Sequence, residues 1–171
     1  MINEDNIQQQ LVGYLQQAFE HARKSAGDGL IVGCGVLTDE TGTMFTPVAG
    51  VASGGDKDLD PTCWGLEIPY EAVKGGSQIL SNFYEECCDY DNDGNWHEEF
   101  RTRVYHVLIR SLEQLKSEGF FASFRTDPFL LVWVVDSDIP NIRGRAWVKR
   151  LNPPAAHQKY IAWLDRVYET A

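Results

Sequence analysis

The longest unbroken apolar run in this chain is seven residues, Phe129 to Val135. A membrane-spanning helix needs about 18 or more consecutive apolar residues, so no span of that kind is expected. Seven apolar positions, mostly β-branched and aromatic and without alternation, instead predict a strand buried on both faces, in the middle of a sheet.

Helical spacing dominates three other stretches. Ile7, Leu11, Leu15, Ala18, Phe19 and Ala22 fall on one face of a helix over residues 6–26, and Gly27 supplies its stop. A second helix is expected from Ser77 to Cys87, with Ile79, Leu80, Phe83 and Cys87 inward. A third runs from His97 to Ser117, with a stripe of Phe100, Val104, Val107, Leu108, Leu112 and Leu115. Asn95 with Glu98 three residues later has the pattern of a capping box for that helix. Leu30 to Thr38 and Thr43 to Ala52 flank the turn composition Asp39-Glu40-Thr41-Gly42, which predicts a β-hairpin. Gly33 and Gly35 inside its first strand predict close approach by another backbone. Short strands are also expected at Cys63 to Ile68 and Gly144 to Leu151. Asn152-Pro153 reads as an N-cap and first position of a last helix carrying Tyr160, Ile161, Leu164, Val167 and Tyr168. The order of elements does not alternate. It predicts one α+β domain over residues 1–171. A mainly antiparallel sheet of about four to five strands packs there with N-terminal, central and C-terminal helices.

Charge narrows the function. Glu85 to Glu99 holds seven carboxylates in fifteen residues and no Lys or Arg. Residues 1–100 carry 4 basic and 18 acidic side chains, whereas residues 101–171 carry 11 and 7. The balances of −14 and +4 make up the −10 of the whole chain. Such acidity argues against nucleic acid and anionic membrane as partners, and the C-terminal basic excess is expected to pair internally. The acidic N-terminus lacks the pattern of a signal peptide, and a cytoplasmic location is expected. Cys34, Cys63, Cys87 and Cys88 lack the spacing of a disulfide framework and read as free thiols.

No catalytic motif stands out, and neither catalytic residues nor a cofactor is assigned. Asp89-Tyr90-Asp91-Asn92-Asp93-Gly94 matches the first half of a calcium-binding EF-hand loop, but its twelfth position, which needs a bidentate Glu, is Phe100. Cys63, Cys87, Cys88 and His97 lack the paired spacing of a structural zinc site, so no metal is assigned. His21 and His106 lie beside helix stripes and read as boundary residues. The candidate site is an acidic protein-binding face: Glu85, Glu86, Asp89, Asp91, Asp93, Trp96, Glu98 and Glu99. Trp96 among those carboxylates is either an interface anchor or the lid of a local hydrophobic cluster.

Leu115-Lys116-Ser117-Glu118-Gly119-Phe120-Phe121 closes the long helix. Asp136-Ser137-Asp138 follows the apolar strand, and Val148-Lys149-Arg150-Leu151-Asn152-Pro153-Pro154 precedes the last helix. With the N-terminal helix and hairpin, this series resembles the bacterial domain-of-unknown-function family 4303 over nearly the whole chain. The resemblance brings no catalytic residues. It implies a small cytosolic protein of the kind found near polymorphic toxin genes, some of which act as immunity proteins. An immunity-type protein that neutralises a basic toxin by direct contact is therefore the first expectation. An enzyme with scattered active-site residues and a weak calcium-responsive module are the alternatives. Oligomeric state stays open.

Overall fold

A computed structural model describes residues 4–66, 68, 75–87, 96–135 and 144–168. Helix α1 (Glu4–Ala26) leads into a hairpin of β1 (Ile31–Thr38) and β2 (Phe45–Val51). Two 3₁₀ turns follow, Gly55–Asp58 and Pro61–Cys63, and then helices α2 (Gly76–Cys87) and α3 (Trp96–Ser117). A 3₁₀ turn at Phe120–Ser123 precedes β3 (Phe129–Val134), α4 (Arg145–Leu151) and α5 (Pro154–Tyr168).

The sheet corrects the expected topology. Among the described residues it has three strands in the order β2-β1-β3. β1 pairs antiparallel with β2, as the hairpin reading requires, but parallel with β3, from Gly33↔Phe129 to Thr38↔Val134. The middle strand is therefore β1, and β3 lies at an edge although all six of its residues are buried. The segment expected as a strand at residues 144–151 is helix α4, in which Trp147, Val148 and Leu151 share a face at helical spacing. The described residues of the segment expected at 63–68 contribute an isolated bridge, Ala49↔Leu66, rather than a strand.

Strand alternation separates two cores. Cys34 and Val36 of β1, with Leu130 and Val132 of β3, face the layer of α1 and α3. All six expected stripe residues of α1, Ile7 through Ala22, are buried there, as are all six of α3. On the other face, Leu131 and Trp133 pack with Trp64, Tyr160, Trp163 and Leu164. Val167, expected inward on α5, is 44% exposed.

The glycines of β1 serve this second core. A Cβ on Gly33 would lie 2.3 Å from Cζ2 of Trp64, and one on Gly50 of β2 would lie 2.6 Å from its Cδ1. Only bare backbone admits the indole there. The neighbour at Gly33 is thus a side chain, not the backbone expected. At Gly35 the expectation holds, with the Leu131 carbonyl oxygen 2.6 Å from a built Cβ. The indole Nε1 donates to the Asp58 carbonyl at 3.2 Å, which fixes the 3₁₀ segment against the sheet.

Asp39 shapes the hairpin turn. Its carboxylate accepts from the Thr41 hydroxyl at 2.6 Å and the Met44 N–H at 3.2 Å. Tyr105 of α3 donates its hydroxyl to the carbonyls of Asp39 and Glu40, tying the turn to the helix layer.

Candidate functional site

The acidic face falls at the corner where α2 ends and α3 begins. Glu85 and Glu86 belong to the last turn of α2, Trp96 is the first residue of α3, and Glu98 and Glu99 stand exposed in its first turn. Asp89, Asp91 and Asp93 lie outside the described residues, as does Asn95 of the expected capping box. The rings of Phe83 and Tyr84 meet that of Phe100, with centroids 5.5 and 5.2 Å apart. That aromatic joint brings the two helix ends together. Arg103 adds a guanidinium 5.6 Å from the centre of the Phe83 ring. The N-terminal end of α3 also favours the negative charge of Glu98 and Glu99.

Phe100 is 3% exposed and packed in this joint. The twelfth position of the half EF-hand motif therefore faces the core with a ring where that motif needs two carboxylate oxygens. Of the imagined zinc set, Cys63 is exposed and its thiol donates to Asp60 Oδ2 at 3.6 Å. The Cys87 side chain, Cys88 and the His97 side chain lie outside the described residues. Among the described residues no group of three or more His, Cys, Asp or Glu side chains is placed to hold a metal. Cys34 is buried, and burial pushes its thiol pKa up, so it is held protonated and inert.

Positive charge is spent inside the molecule. Each of the eight described arginines makes an ion pair with a carboxylate. Arg103–Glu4 (2.7 Å), Arg110–Asp5 (3.0 Å), Arg125–Asp28 (3.3 Å) and Arg166–Asp56 (2.9 Å) join the basic C-terminal part to the acidic N-terminal part. Arg150 grips Glu113 with two nitrogens, and Arg145 meets Asp165.

Two clefts were not foreseen from sequence. One, of about 200 Å³, lies beside the start of α5 and is lined by Asp58, Asp127 and Lys159 over a floor that includes Phe129. Ser53 N–H at 2.9 Å, Gly54 N–H at 3.0 Å and the Ser53 hydroxyl at 3.2 Å all donate to Asp58 Oδ1. The Ser53 N–H above all, with Lys159 adding its charge, lowers the Asp58 pKa. The other, of about 210 Å³, runs between α3 and α4 along Tyr105, His106 and Trp147. Their lining residues come from segments distant in sequence, and no motif spacing signals them.

This second groove and the acidic corner are built from the middle and late parts of the chain, α2 through α4. Residues 70–153 match a family model described as Domain of unknown function (DUF4303). The DUF4303 stretch begins after the hairpin and closes at Pro153. The resemblance expected over nearly the whole chain is thus supported for α2, α3, β3 and α4, while α1 and the hairpin precede the match. No curated protein and no solved structure matches the chain.

Proposed function

We propose that this protein is an immunity-type binding protein of the cytoplasm, which neutralises a basic toxin by direct contact through the acidic corner of α2 and α3. The observation that carries the reading is the pairing of every described arginine with a carboxylate. With those arginines paired within the chain, the remaining carboxylates outnumber the remaining cations and leave the net charge of −10. The segment from Glu85 to Glu99 concentrates seven carboxylates, of which Glu98 pairs with Arg101. A field of one sign raises the association rate of an oppositely charged partner and discriminates against acidic ones. The aromatic joint of Phe83, Tyr84 and Phe100 holds the end of α2 against the start of α3, which bears Glu98 and Glu99.

The test starts with capture of partners from the native host and identification by mass spectrometry. Association of the captured partner is then timed against salt for the wild type and for the triple variant Asp89→Asn, Asp91→Asn, Asp93→Asn. A slower rate and a flatter salt dependence in the variant support the reading. Equal rates at every salt concentration overturn it.

A further inference from the structure

The cleft beside α5 lies on the sheet face opposite α1 and α3, away from the acidic corner. Its floor is apolar, formed by Val32, Leu59 and Phe129, and Phe129 is stacked on Tyr160 at 5.2 Å. Charges of both signs line it. Asp58 is fixed through Oδ1 by three donors, and among the described residues no hydrogen bond reaches its Oδ2. Lys159 lines the same cleft and acts on Asp58 through its charge, yet the two make no ion pair. Asp127 is likewise without an ion pair among the described residues.

This contrasts with the described arginines, each of which has a carboxylate partner. Here a preorganised carboxylate and an ammonium face a shared apolar space without closing on one another. A ligand with one positive and one negative group would satisfy both ends and lay its apolar part on the floor. The volume, about 200 Å³, lies below the ~300–1,000 Å³ of sites for drug-sized ligands, so the ligand is small. The start of α5 borders the cleft through Pro153 and Ala156, and its helix dipole adds positive potential for the ligand's anionic group.

We propose that this cleft binds a small zwitterion, an α-amino acid with an apolar side chain, with its ammonium on Asp58 and Asp127 and its carboxylate on Lys159. Both polar contacts are charge-assisted hydrogen bonds, the stronger kind. The reading is independent of the toxin partner.

The test is a titration of the full chain followed by backbone amide NMR shifts. The probes are L-valine, L-leucine, L-methionine and L-phenylalanine, with N-acetyl-L-leucine and L-leucinamide as blocked forms. At least one free amino acid is expected to shift the amides of Val32, Leu59 and Phe129 saturably. Each blocked form is expected to bind about tenfold more weakly than free leucine, since each lacks one charge-assisted contact. Lys159→Gln, an exposed change that leaves the fold intact, should weaken free leucine about tenfold and leave leucinamide unchanged. The proposal is overturned if none of the four amino acids moves these amides at about 10 mM, well above a millimolar Kd. It is equally overturned if the blocked forms bind as tightly as the free ones.

Discussion

The side chain of Asn152 completes the sheet at Leu130. Its Oδ1 accepts from the Leu130 N–H at 2.8 Å, and its Nδ2 donates to the Leu130 carbonyl at 2.7 Å. The amide occupies the place that a peptide group of a neighbouring strand would take. It also donates to the Val148 carbonyl at 3.1 Å, which ties the end of α4 to the strand edge. Asn152→Ala leaves both polar groups of Leu130 buried without these partners. A stability loss of about 2–4 kcal/mol is expected, at roughly 1–3 kcal/mol for each unsatisfied group. Chemical denaturation of the variant checks it, and a loss within experimental error would refute the role given to Asn152.

Trp64 and Gly33 are mutually dependent. Gly33→Ala forces a Cβ into the indole and is expected to destabilise by about 1–3 kcal/mol through overpacking. Trp64→Ala is expected to cost about 3–5 kcal/mol through the cavity it opens. The double variant should be more stable than the two losses added together, because the methyl group then enters vacant space. Strict additivity in a double-mutant cycle would contradict the contact.

Asp58 predicts an acid dependence. Hydrogen bonds from Ser53 N–H, Gly54 N–H and the Ser53 hydroxyl, and the charge of Lys159, hold its carboxyl below the usual range. The unfolded chain therefore takes up the proton more readily than the folded one. The stabilisation is present above the unfolded value of about 3.9 and is lost as pH falls through the lower folded value. Melting temperatures of the wild type and Asp58→Asn should differ most near neutral pH and converge in strong acid. A gap that widens on acidification would reverse the sign of the argument.

The two cysteines whose side chains are described should react at very different rates. Cys63 is exposed, whereas Cys34 is buried between the sheet and the α1/α3 layer with its thiol pKa raised. Brief alkylation of the native protein, read by peptide mass spectrometry, should label Cys63 and spare Cys34 until denaturant is added. Equal labelling of both in the native state would show that the core around Cys34 opens readily.

The elements with long periodicity could be read from the chain. The α1 and α3 stripes and the hairpin needed only the spacing of apolar residues and one turn composition. Helix α4 has seven residues, too few to separate helix from strand when Trp and Val supply the apolar positions. Asn152, expected as the N-cap of the last helix, instead follows α4, and its amide bonds a strand 22 residues earlier while α5 starts at Pro154. The parallel pairing of β1 with β3 was invisible for a similar reason. A continuous apolar strand indicates burial on both faces, not which neighbour lies beside it. The acidic corner was evident in composition. The cleft of Asp58 and Lys159 was not, since tertiary packing alone assembles it.

The middle strand has a consequence for how the chain reaches this state. β1 meets β2 within a tight hairpin, but its other edge waits for Phe129, roughly a hundred residues later. Until β3 has been synthesised, the hairpin carries a bare row of amides and carbonyls along β1. Closure of so long a loop is slow, and the exposed edge can pair with other chains meanwhile. Production of this protein should thus be most vulnerable during synthesis, when a chain truncated before β3 is the species prone to aggregate.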